Sequence, residues 1–124
     1  MPPTLELHTI TFDCHDALAL GTFWSRVLGH PLAEDSAEEA ALLRLPHRPS
    51  LLFLRVPEGK TTKNRLHLDL AAPPGSNREA ETRRVLALGA RLLQDLRNPD
   101  GTGWAVLADP EGNEFCVVLA DHER

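Results

Sequence analysis

Between Asn64 and Ala72 the chain reads NRLHLDLAA. Arg65, His67 and Asp69 alternate with Leu66, Leu68 and Leu70, so in an extended segment three ionisable groups share one face and three leucines the other. An imidazole flanked by a carboxylate and a guanidinium can move a proton, hold a metal ion or grip a polar ligand. The plainer reading of Arg65 and Asp69 is an ion pair on a wet face. Two further residues offer related chemistry. His8 opens a similar alternation in LHTITF, and Cys116 interrupts the apolar strand EFCVV with a thiol.

The elements that must position these groups follow from periodicity. Residues 5–14 alternate as a strand, with His8, Ile10 and Phe12 on one face, and residues 16–28 switch to helical spacing with Leu20, Phe23, Val27 and Leu28 as the buried stripe. Gly29 and Pro31 stop that helix. Strands are expected at about 31–36, 40–46 and 50–57, and the polar EGKTTK, 58–63, is a connection. The order then repeats. A strand at 64–72 is broken by Pro73, Pro74 and Gly75, and a capping box of Ser76 and Glu79 opens a helix that ends at Gly89. Strands follow at about 91–96, 104–109 and 114–120, the last two joined by the turn DPEGN.

The halves align by eye: LHTITF on LHLDLA, VLGHPL on ALGARL, LLFL on FCVV. This internal repeat sets His8 opposite His67 and Phe53 opposite Cys116. If each helix covers the leucine side of its own strands, the remaining side lines a hollow. Phe53 and Arg55 are then the inward pair on strand 50–57, and Glu114, Cys116 and Val118 the candidates on the last strand. Trp104 follows NPDGTG, whose glycines and proline suit a mobile lid.

The totals narrow the function classes. A chain of 124 residues with 42% hydrophobic and 25% charged content is sized and composed as one soluble domain. No apolar run nears the roughly 20 residues that cross a bilayer. The start MPPTLELH has neither a basic region nor an apolar signal core, so a cytoplasmic location is expected. Two cysteines make no disulfide scaffold, in keeping with a reducing compartment. Acidic residues outnumber basic ones, 18 to 13, and the basic ones are scattered, which argues against a nucleic-acid partner.

Four segments, LHTITF, FWSRVLG, VPEGKTTKNRLHLDL and DPEGNEF, taken in this order with the duplicated layout, resemble the vicinal oxygen chelate superfamily. That group comprises glyoxalase I, bleomycin-resistance proteins and extradiol dioxygenases, and the likeness is narrower to its small bacterial glyoxalase-like proteins. The resemblance implies an α+β fold of two tandem βαβββ modules, about 5–58 and 64–121, in one glyoxalase-like domain whose eight-stranded mixed sheet is cupped around the site. It also implies a homodimer. In metal-dependent members a divalent ion is held by one residue from each of the first, fourth, fifth and eighth strands. Carried over, these positions fall on His8, near Phe53, on His67 and on Cys116. No carboxylate stands at the fourth or eighth strand position, so two ligands of four are kept.

Two imidazoles can bind zinc, nickel or copper, and a thiolate makes a good third zinc ligand. An apolar strand, however, favours the neutral thiol unless a cation lowers its pKa. Carboxylate-rich chemistry on a hydroxy-ketone or catechol is therefore poorly provisioned. The expectation is a small-molecule-binding glyoxalase-like protein lacking the full metal-ligand set. Its ligand would meet an aromatic floor of Phe12, Phe53 and Trp104 and the polar hooks His8, Arg65, His67 and Asp69, with Cys116 alongside. The alternative is a divergent metal-dependent lyase, isomerase or dioxygenase that holds zinc, nickel or iron on His8, His67 and Cys116.

Overall fold

The computed structural model describes residues 2–124. The chain divides into two compact units, Met1–Gly59 and Lys60–Arg124, each with one α-helix and one mixed sheet, the second ending in a short 3-10 turn at Asp121–Glu123.

In the first unit β1 (Thr9–Cys14) leads into α1 (Ala17–Leu28), followed by β2 (Ala40–Leu43) and β3 (Ser50–Arg55). The sheet order is β1-β3-β2, with β1 parallel and β2 antiparallel to β3. Local chemistry sets the ends of α1. The Asp16 side chain accepts from the Ala19 N–H at 3.0 Å, satisfying one of the donors a helix start leaves open. Gly29 closes the helix in the left-handed region at φ 73°, where a β-carbon would be penalised. The buried residues of α1, among them Leu20, Phe23, Trp24 and Val27, recur every three or four positions. Gly21 lets this helix approach the sheet closely. A β-carbon there would stand 3.1 Å from that of Ala41 and 3.3 Å from the Phe53 ring.

The second strand expected in this half, about 31–36, is reduced to a single antiparallel bridge between Leu32 and Leu43. Among the described residues there are thus seven strands rather than eight. After Leu32 the chain turns at Glu34 and Asp35 and bends at Glu38 and Glu39, which ends that ladder.

The second unit runs β4 (Leu68–Ala71), α2 (Arg78–Ala87), β5 (Arg91–Asp95), β6 (Ala105–Ala108) and β7 (Glu114–Val118). Its sheet order is β4-β7-β6-β5, with β4 parallel to β7 and the other pairs antiparallel. The Leu32 bridge, placed beside β2, gives the first unit the same connectivity in outline. The helix cap differs from the expected box. Asn77, not Ser76, takes the cap position and accepts from the Ala80 N–H at 2.8 Å. Ser76 instead donates to Glu81 at 2.9 Å. Two adjacent cap-competent residues compete here, and Asn is at least as good a cap as Ser.

Helix α2 is only lightly apolar, and its buried residues are Arg78, Thr82 and Val85. Arg78, 3% exposed, compensates for its burial with hydrogen bonds. Its Nη1 donates to the carbonyls of Thr102 and Gly103, both at 2.8 Å, and its guanidinium pairs with Glu79. The DPEGN turn is built as expected. The Asp109 carboxylate, 1% exposed, accepts from the Glu111 and Asn113 N–H groups at 2.9 and 3.0 Å, and Gly112 takes φ 89°.

Candidate functional site

The pleat decides which side chains share a face. In β4, half-buried Leu68 and Leu70 alternate with exposed Asp69 and Ala71. The register pairs Leu68 with Phe115 and Asp69 with Cys116, and Phe115 is in turn opposite Leu107. One face of the sheet therefore gathers Leu68, Leu70, Leu107, Phe115 and Val117, three of which are 2% exposed or less. The other carries Asp69, Cys116, Glu114 and Val106. His67, immediately before β4, extends the Asp69 side of the alternation.

On that polar face the donors converge. His67 Nε2 lies 3.3 Å from Asp69 Oδ1, with the two side chains 49% and 55% exposed. One ligand atom from each of His67, Asp69 and Cys116 falls within 4.8 Å of the others. Cys116 is 6% exposed. Its thiol is pushed above the ordinary range by burial, then by the charge of the neighbouring Asp69 carboxylate and by a hydrogen bond to it, with Lys63 opposing weakly. Burial and the carboxylate both favour the neutral thiol over the thiolate.

The approach to His67 is fixed by Glu114 at the start of β7. Its carboxylate accepts from the Asn64 N–H at 3.1 Å and pairs with Lys60 Nζ at 3.2 Å. Asn64 in turn donates through Nδ2 to the Leu66 carbonyl at 3.1 Å. These bonds hold 64–66 in a bend, so the strand expected from residue 64 begins at Leu68. Arg65 sits in that bend, exposed, and makes no ion pair among the described residues. The pairing anticipated between Arg65 and Asp69 is replaced by His67 with Asp69. The role of Glu114 was not legible in the sequence, because its partners lie 50 and 54 positions away.

In the first unit the face assignments need correction. Phe12 and Phe53, expected on the floor of a hollow, lie under α1. Their ring centroids are 5.1 Å apart, Phe12 is 5.6 Å from Trp24, and Phe53 is fully buried against Gly21. Thr9, Thr11 and Asp13 therefore take the opposite face of β1, paired with Ser50, Leu52 and Leu54 of β3. His8 precedes β1 and is exposed, its Nδ1 2.6 Å from Thr9 Oγ1, while its carbonyl accepts from the Ser50 N–H at 3.1 Å. It belongs to the first unit, whereas the donor cluster is built from the second alone. Neither face of β3 offers a carboxylate: Ser50, Leu52 and Leu54 lie on one, Leu51 and Phe53 on the other. The family's four-strand ligand set, with its hard carboxylate donors, does not fit these residues.

Trp104 is 44% exposed and follows a segment that is fastened rather than loose. Backbone bonds join Leu96 and Trp104 in both directions, at 2.9 and 3.4 Å, and the Asn98 N–H donates to the Thr102 carbonyl at 2.8 Å. Arg78 holds the Thr102 and Gly103 carbonyls from the helix side. The expected lid is a pinned hairpin. Alternation along β6 sets Trp104 on the same side as Val106, the partner of Cys116.

No helix among the described residues is long and apolar enough to cross a membrane. Residues 9–118 match the family model of the glyoxalase-like domain. Among curated proteins none matches the chain significantly. Solved structures of similar fold include a glyoxalase/bleomycin resistance protein/dioxygenase family enzyme from Burkholderia phytofirmans PsJN. It is 18% identical with a TM-score of 0.74, over 91% of this chain and 97% of that one. A glyoxalase-related enzyme from Fulvimarina pelagi is 18% identical with a TM-score of 0.71, over 94% and 89%. A lactoylglutathione lyase from Agrobacterium tumefaciens is 19% identical with a TM-score of 0.64, over 95% of each chain. At such identities the likeness is one of fold. With the family model spanning nearly the whole length, the chain belongs to the glyoxalase-like domain family of the vicinal oxygen chelate superfamily.

Proposed function

We propose that the protein binds a small molecule without the full metal-ligand set of its superfamily, and that the polar face shared by β4 and β7 carries recognition. The observation behind this reading is the juxtaposition of His67, Asp69 and Cys116 on one sheet face, with the half-exposed Trp104 on the same side of the neighbouring strand. An acceptor, an imidazole and a thiol beside an aromatic plate suit a ligand with a flat apolar body and one hydrogen-bonding end. Arg65, exposed two residues before His67, would supply a cation for an anionic substituent. The family resemblance adds a homodimer, which sedimentation would test.

Intrinsic fluorescence gives a direct experiment, because the only other tryptophan, Trp24, is 1% exposed. In a Trp24→Phe background, a metabolite and antibiotic panel should contain compounds that quench Trp104 saturably, with the effect lost in His67→Ala and Asp69→Ala. A panel that produces neither quenching nor calorimetric heats counts against the reading.

A second reading, a divergent metal-dependent lyase, isomerase or dioxygenase, is favoured by the same cluster, since imidazole, carboxylate and thiol are all ligand types. Metal analysis of protein purified without a histidine tag separates the two.

A further inference from the structure

We infer that the second unit provides a site for a soft divalent cation of the zinc class on His67, Asp69 and Cys116, replacing the superfamily's four-strand set. The inference builds on the mismatch described above and extends the second functional reading. Asp69 and Cys116 occupy paired positions on adjacent parallel strands, so their side chains leave the sheet on the same side. His67 lies two positions before Asp69 and emerges on that side too. The three donors are N, O and S, a mixture suited to zinc and unsuited to magnesium, calcium or manganese, which select oxygen.

The geometry is close to what the ion requires. Tetrahedral zinc, with bonds of about 2.0–2.3 Å, brings its ligand atoms to roughly 3.5 Å of one another. The His67 and Asp69 atoms are already at 3.3 Å, and the full set spans 4.8 Å, so side-chain rotation by about an ångström closes the site. Charge also balances. On binding, the Cys116 S–H bond breaks, its proton passes to solvent, and a sulfur–zinc bond forms with no change of oxidation state. One thiolate and one carboxylate then neutralise the dication. Three protein ligands leave a fourth position, on the side where His67 and Asp69 meet solvent, and that position is where a small molecule or water would coordinate.

The test uses the untagged full chain, stripped with chelator and titrated with zinc and with cobalt(II) as a spectroscopic substitute. The expected result is one equivalent bound, a sulfur-to-cobalt charge-transfer band, and loss of that band in Cys116→Ser. Asp69→Asn, a change at an exposed position that preserves the fold, should weaken binding more than tenfold. His8→Ala should leave it unchanged. Absence of stoichiometric binding, binding without the charge-transfer band, or an equal loss in His8→Ala overturns the proposal. Failure of zinc binding is distinguishable from failure of the small-molecule reading, which rests on Trp104 quenching in metal-free buffer. It is equally distinguishable from the metal-enzyme reading, which survives if a hard cation binds instead.

Discussion

Asp69 and Cys116 face each other across the parallel β4–β7 ladder, and burial, reinforced by that carboxylate, pushes the Cys116 thiol up from its ordinary range. Each residue alone is ordinary. Together they set a carboxylate and a thiol in register on one sheet face, beside the His67 imidazole.

One consequence is measurable in the metal-free protein. Asp69→Asn removes the charge and weakens the hydrogen bond that oppose ionisation of Cys116, while burial, the larger cause, remains. The thiol titration should shift downward but stay above that of an exposed cysteine. Thiolate absorbance against pH, in a Cys14→Ala background, would show it.

Phe53 anchors the first core. It is fully buried between the Phe12 ring and Gly21 of α1, so Phe53→Ala should cost about 3–5 kcal/mol. Urea unfolding measures the loss. A cost near zero would return Phe53 to an open face.

Gly103 is held at φ 90°, and a β-carbon there would overlap the Leu96 carbonyl oxygen. Gly103→Ala should destabilise the protein by at least about 1–3 kcal/mol, the usual range for backbone strain at such a position. Hydrogen exchange at the Leu96 and Asn98 amides should accelerate, since both bond across this hairpin.

Asp95 is paired with Arg97, whose side-chain and backbone N–H groups hold its carboxyl down to about 2 from an ordinary 3.8. A depressed carboxylate stabilises the fold above 3.8 and loses that contribution as pH falls through about 2. Arg97→Ala should return the Asp95 midpoint towards 3.8, read by carbon-detected NMR titration.

The sequence made the architecture plain because helix punctuation and turn chemistry are local. Asp16, Gly29 and the DPEGN turn act within four residues of themselves. The faces were harder. In LELHTITFDC the apolar residues fall on odd positions up to Leu7 and on even ones from Ile10, so the phase changes at His8. Leu5 and Leu7, 100% and 65% exposed, were never part of the strand. In SLLFL every position is apolar, and periodicity says nothing about which side meets the helix. NRLHLDL gave the right parity for His67 and Asp69, but not the bend at Arg65, which depends on Glu114 fifty residues on. Nor could it bring Asp69 to Cys116, because a parallel pairing is set by the whole sheet.

The confinement of the donor cluster to Lys60–Arg124 divides the labour of a duplicated protein unequally. One copy bears the reactive groups. By the alignment of LHTITF on LHLDLA, Ile10 stands where the second unit has Asp69, and Phe53 where it has Cys116, so the first unit owes nothing to that donor set and can drift in size and polarity without disturbing it.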